Sequence, residues 1–182
     1  MSSVEQSDEA LFRHFRSGDN GAFEMLYQRY RQTVYLFLLR SCSEQGDAEE
    51  IYQDVWSRII TATQPFQEGS FRAYIFRIAR NLLIDRYRRN RLTMVKDDHA
   101  LAEVADSGKT LEEKIEEQDC SDRLKQHLTN LPAEQREVFL LKEEAGLSLV
   151  QIASMIDVGR ETVKSRLRYA LKQLRNLLEE CL

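Results

Sequence analysis

The sequence predicts an all-α fold of two helical domains joined by a flexible acidic linker, the C-terminal domain carrying a helix-turn-helix. Three observations predict it. Apolar residues recur at steps of three and four through most of the chain, the spacing of one helix face. Seven Gly and two Pro in 182 residues are too few to punctuate the turns of a sandwich or barrel. The periodicity lapses from Thr93 to Lys109, where Asp97-Asp98-His99 and Asp106-Ser107-Gly108 read as linker. The expected division is residues 1–94, a linker over 95–109, and residues 110–182.

The elements follow from caps and stops. Ser7 is expected to cap a first helix, with Asp8 and Glu9 at its positive end and Gly18 closing it. Asn20 is expected to cap a second, with Phe23, Leu26, Tyr27, Tyr30, Val34, Phe37 and Leu38 on one stripe that fades at Ser41. Asp47 with Glu50 resembles a capping box for a third helix, stopped by Pro65. Ser70 opens a fourth that runs to about Arg91. Past the linker, Thr110 and Glu113 form a capping box for a helix to about Asn130. Pro132 suits the first position of the next, which ends near Gly146. Ser148 starts a short helix to Ile156, Asp157-Val158-Gly159 is a turn, and Arg160 to about Leu178 is the last helix.

Composition excludes several classes. The longest apolar run, Val34 to Leu39, is far short of the roughly 20 residues a membrane span needs, so no membrane insertion is expected. The first residues have neither a basic nor an apolar signal region, and three scattered Cys (Cys42, Cys120, Cys181) fit reduced thiols, so a cytoplasmic protein is expected. His14, His99 and His127 stand in no metal-ligand spacing and no phosphate-cradling Gly loop is present. No catalytic residues, metal or cofactor are therefore expected.

A net charge of −4 argues at first against a nucleic-acid partner, but its distribution does not. Residues 96–121 hold 3 basic and 9 acidic residues, whereas 1–95 hold 13 and 12 and 122–182 hold 10 and 9. Residues 72–91 hold seven Arg against Asp85 alone. On a helical wheel Phe71, Ile75, Ile78, Ala79 and Leu82 form the core face, and Arg77, Arg80, Arg88 and Arg91 the opposite one, beside Asn81 and Tyr74. Arg rather than Lys throughout, Arg72 included, suits planar recognition of phosphate. Interleaved Tyr74 and Phe76 suit stacking on unpaired bases, core packing being the competing role for each.

Ser148 to Ala170 has the layout of a helix-turn-helix, with Ile152, Ala153, Ile156, Val158, Val163 and Leu167 at the apolar or small positions. Val163, Leu167, Ala170, Leu171, Leu174 and Leu178 are expected to form the buried stripe of the last helix. In a major-groove reader Arg160 and Lys164 would hold phosphates or guanines, and Ser165 and Arg168 would face base edges. Glu161 would accept from a cytosine amino group or stabilise the helix dipole.

Residues 71–91, FRAYIFRIARNLLIDRYRRNR, resemble the promoter-melting segment of bacterial extracytoplasmic-function (ECF) sigma factors. FEMLYQRY at 23–30 and AEEIYQDVW at 48–56 resemble earlier segments of the same region two. Residues 131–175, from LPAEQREVFLL through LSLVQIASMIDVGRETVKSRLRYALKQLR, are similar to region four. The resemblance departs where Tyr74 replaces a frequent Trp, Asp157 a turn Gly, and Gly159 a capping Ser.

The resemblance implies a factor that binds core RNA polymerase and directs transcription initiation, region two melting the minus-ten element and region four reading the minus-thirty-five element. It implies that Glu50, Gln53, Asp54 and Ser57, outward on the third helix, dock on the clamp of the largest polymerase subunit; Trp56 is placed in the core, the docking edge being its alternative. It implies promoter DNA and an anti-sigma protein as partners. It also implies that the acidic linker, with Asp97, Asp98, Glu103 and Asp106, threads into a positively lined polymerase channel. The rival is a stand-alone helix-turn-helix regulator of duplex DNA, which leaves the Arg-rich fourth helix unexplained.

Overall fold

A computed structural model describes residues 6–62, 69–94 and 124–178. Among these are eight α-helices and no strand: α1 (Asp8–Arg16), α2 (Asn20–Ser41), α3 (Gln45–Thr61), α4 (Phe71–Met94), α5 (124–130), α6 (Ala133–Glu143), α7 (Leu149–Ile156) and α8 (Arg160–Leu178).

The first four helices pack around α2, which touches α1, α3 and α4. Ser7 caps α1, its Oγ accepting from the Ala10 amide at 3.2 Å. Gly18 then turns the chain at φ 103°, which L side chains rarely adopt. The cap of α2 is Asp19, one residue before the expected Asn20. Its carboxylate accepts from the Gly21 and Ala22 amides at 2.9 and 3.2 Å. The third helix begins at Gln45 with no side-chain cap, so Asp47 lies inside the first turn and caps nothing. Helix α3 ends at Thr61, short of Pro65, which lies outside the described residues.

Helix α4 starts where expected and gains a partner from far away: the Phe71 amide donates to Glu9 Oε1 of α1 at 3.0 Å. It runs to Met94, three residues beyond the expected end and past Thr93, where the apolar periodicity lapses. The expected linker over 95–109, its four acids, and the capping box at Thr110 lie outside the described residues.

Pro132 is the residue before α6 rather than its first. Helices α6 and α7 both pack on α8. Ser148 caps α7 through a reciprocal box with Gln151, at 3.2 and 2.9 Å. Asp157 takes the left-handed conformation (φ 56°, ψ 52°), the geometry the turn requires and Asp tolerates.

Buried residues of both halves join in one core, including Leu26, Tyr30, Val34, Phe71, Phe76, Leu128, Leu140 and Val163. At its edge burial pushes the Tyr30 phenol above its ordinary range, and its bond to Asp8 adds to this. Asp8 also holds Arg29 at 2.6 Å, tying α1 to α2.

Candidate nucleic-acid and polymerase interfaces

Three faces carry the candidate side chains. On α4, Arg77, Asn81, Arg88 and Arg91 are exposed. Arg72 is half-buried, its guanidinium 5.1 Å from the centre of the Tyr30 ring. Arg80 is also half-buried and its Nε donates to Glu137 Oε1 at 2.7 Å. Tyr74 is half-buried between Phe12 and Phe71, with ring centres 5.7 and 6.3 Å away.

Phe76 overturns an expectation. Its ring is 0% exposed and sits edge-on to Phe37 at 5.3 Å. A base cannot stack on it without unpacking the core, so Phe76 is a packing residue. The helix buries more of its circumference than one stripe because α1, α2, α3 and α7 all touch it.

On α8, Arg160, Glu161, Lys164, Ser165 and Arg168 are all exposed on the helix-turn-helix surface. Lys164 lies 4.0 Å from Glu161, and the Arg168 guanidinium stands 5.2 Å from the Tyr169 ring centre. Arg166 reaches the other way, to Glu134 at 2.5 Å, and pins α8 to α6. Leu171, expected in the buried stripe, is 44% exposed, whereas Val163, Ala170 and Leu174 are buried and Leu167 packs partly against the core.

On α3, Glu50, Gln53, Asp54 and Ser57 share the solvent side while Ala48, Ile51, Val55 and Ile59 are buried. Glu50 is engaged by Arg86 of α4, which also lies 3.4 Å from Asp47. Trp56 is buried, as expected, with Tyr27 edge-on at 4.8 Å. Beside this face runs an open apolar groove of about 500 Å³ lined by Phe23, Tyr27, Tyr52, Trp56 and the exposed Ile60. Sequence reasoning missed the groove. Its one signal was an apolar Ile60 adjoining Ile59, off the buried stripe.

Among the described residues no group of three or more His, Cys, Asp or Glu could hold a metal ion. Among the same residues no helix is long and apolar enough to cross a membrane.

Two family models match the two halves: Sigma-70 region 2 over residues 26–93 and Sigma-70, region 4 over 128–176. The chain is 30% identical to the ECF RNA polymerase sigma factor SigE of Mycolicibacterium smegmatis, over 96% of this chain and 70% of that protein. This chain belongs to the ECF RNA polymerase sigma factors. Another relative is ECF RNA polymerase sigma factor SigW of Bacillus subtilis, 25% identical over 97% of this chain and all of that one. Two solved structures share the fold at TM-score 0.69 and 23% identity. One is CnrH in complex with the cytosolic domain of CnrY, covering 96% of this chain and 99% of that one. The other is the sigma factor RpoE in complex with the anti-sigma factor NepR from Bartonella quintana, covering 86% and 96%.

As an ECF sigma factor the protein binds RNA polymerase and initiates transcription at specific promoters. The region-two match spans most of α2, all of α3 and nearly all of α4, so it contains the Arg-rich and acidic faces. The region-four match contains α6, α7 and most of α8, with the whole helix-turn-helix.

Proposed function

We propose that the sigma factor divides its work among these three faces. Arg77, Asn81 and Arg88 of α4, with Arg72 and Arg80 when these are released, follow the phosphates of the minus-ten element. Tyr74 stacks on a base as the strands part. Arg160 and Lys164 hold the minus-thirty-five duplex, and Ser165 and Arg168 read its base edges. Glu161 sits at the tip, within reach of a cytosine amino group. Glu50, Gln53, Asp54 and Ser57 dock on the clamp of the largest polymerase subunit.

The observation that carries this reading is the separation of faces. The exposed cationic residues of α4 and of α8 stand on different helices, and the exposed acidic residues of α3 on another. A stand-alone repressor needs only the second. Residues 1–94 would form the melting unit, 95–109 the linker and 110–182 the reading unit. The chain would have no enzymatic activity of its own, since phosphodiester chemistry belongs to the polymerase, and it would act in the cytoplasm. An anti-sigma protein is a fitting partner, because RpoE, which shares the fold, was captured with one.

Run-off transcription with purified core polymerase tests the whole. Arg77→Ala with Arg88→Ala should abolish opening on duplex promoter while sparing binding to core. Gln53→Ala with Asp54→Ala should weaken core binding itself. Full transcription by both variants would overturn the assignment.

A further inference from the structure

The buried stripe of α4 runs through Ile75, Ala79 and Leu82, at steps of four and three, and its next position is Arg86. An arginine therefore stands where an apolar residue would continue the core. At about 100° per residue it lies on the opposite side of α4 from Arg77. It is turned toward α3, away from the exposed cationic face.

Helix α3 supplies what it meets. Arg86 Nη2 donates to Glu50 Oε2, and its Nη1 lies 3.4 Å from Asp47 Oδ1. The other oxygen of Asp47 accepts from Asn90 Nδ2, one turn further along α4, at 3.3 Å. Four side chains thus link the two helices in series: Asn90, Asp47, Arg86 and Glu50. The Arg86 and Asp47 side chains are 21% and 27% exposed, and that of Glu50 is 67% exposed. The anchor is half-buried, and the acid it holds stands in solvent.

Packing alone does not explain an arginine at this position. Its Nε is buried and has no acceptor among the described residues, an arrangement that costs stability. An ion pair as exposed as the one with Glu50 stabilises little. Leucine at 86 would extend the stripe without either defect. What the arginine does supply is order among the acids. Asp47, Glu50 and Asp54 recur at steps of three and four along α3, a spacing at which like charges repel. A guanidinium beside them offsets that repulsion, and its rigid fork fixes direction as a flexible lysine does not. Arg86 takes one oxygen of Glu50, whereas a carboxylate has about four acceptor sites. A cation on a partner can therefore bind Glu50 without displacing Arg86.

We propose that Arg86 is a positioning residue for polymerase binding. Braced by Asp47 and Asn90, it holds the Glu50 carboxylate in one orientation before the clamp arrives, so association does not have to order that side chain. The inference rests on the docking role proposed for Glu50 and its neighbours on α3. It sets Arg86 apart from the arginines of α4 proposed to follow DNA.

The test is the affinity of the labelled full chain for purified core polymerase, followed by fluorescence anisotropy. Arg86→Leu should weaken binding about two- to tenfold, the loss expected when one long side chain must be ordered on association. Its melting temperature should stay near that of the unmutated protein, since an apolar residue can replace a partly buried ion pair at little cost. In a Glu50→Ala background the same substitution should change core affinity little, because no carboxylate remains to be oriented. Equal losses in both backgrounds, with or without a lowered melting temperature, would make Arg86 a structural tie and overturn the positioning. Arg86→Lys keeps the charge without the fork and should also bind core less tightly; full affinity in that variant would show that charge suffices and overturn the orientation. Unchanged core affinity for Arg86→Leu would overturn the proposal, and slowed promoter opening beside it would place Arg86 with the DNA-following arginines. A wrong reading of α3 is seen separately: Gln53→Ala with Asp54→Ala would then bind core normally, whatever Arg86→Leu does.

Discussion

Cys42 and Phe76 show how far a single side chain's surroundings decide its use. Cys42 ends α2 and is buried; burial, then the neighbouring Asp47, pushes its thiol up to about 11 from an ordinary 9.0. A thiol so protonated is a poor nucleophile. With Cys120 and Cys181 replaced by Ser, labelling of the native protein by a disulfide reagent at pH 8 should be about a hundredfold slower than for an ordinary thiol, two units of pKa being a hundredfold in thiolate. Fast labelling would revive a redox role. Because the folded state holds this proton more tightly than the unfolded one, the stability it contributes is full below about pH 9 and lost as pH rises through about 11. Phe76→Ala should cost about 3–5 kcal/mol in chemical denaturation, the penalty of an emptied core site. A base-stacking role would instead leave stability nearly unchanged.

At the level of elements, α4 and α8 present different chemistry to DNA in different states. Arg168→Ala or Ser165→Ala should shift the preference for upstream-element sequence by about 1–3 kcal/mol if a bidentate base contact is lost, read by competition binding of holoenzyme to mutated elements. Tyr74→Ala should slow promoter opening and spare duplex recognition, since stacking matters only once bases are unpaired. Permanganate footprinting on normal and pre-melted promoters separates the steps, and a defect that pre-melting fails to rescue would remove the stacking role. Part of any Tyr74 effect comes through packing, because its ring also lies against Phe12 and Phe71. A melting curve beside the footprint keeps the two apart.

For the whole molecule, net charge works against unassisted binding to DNA. A chain of net charge −4 meets phosphate unfavourably, and each cationic face offers only a handful of contacts. Two weak modules gain when a scaffold holds them at the spacing of their targets. The isolated protein should therefore show no tight, specific mobility shift on promoter duplex at physiological salt, and adding core polymerase should produce one. A tight shift by the isolated chain would favour the stand-alone regulator.

The sequence alone determined the helical class and the surface of the helix-turn-helix. Each of these rests on local chemistry. Ser7 and Ser148 cap their helices through neighbouring amides, and the exposed face of α8 from Arg160 to Arg168 follows from helical period. Asp19 in place of Asn20 and the uncapped start of α3 are errors of the same local kind, since adjacent polar residues compete for one cap and a carboxylate three residues before Glu resembles a box without making one. Only the tertiary structure decided the rest. Phe76 is buried because helices distant in sequence close around α4; Glu9, 62 positions away, receives the Phe71 amide; and Arg80 meets Glu137 across 57. Periodicity says which residues share a face, but not how many neighbours cover it. The burial of Phe76 and the pairing of Arg80 are long-range contacts, and they exist only once the separate units have packed.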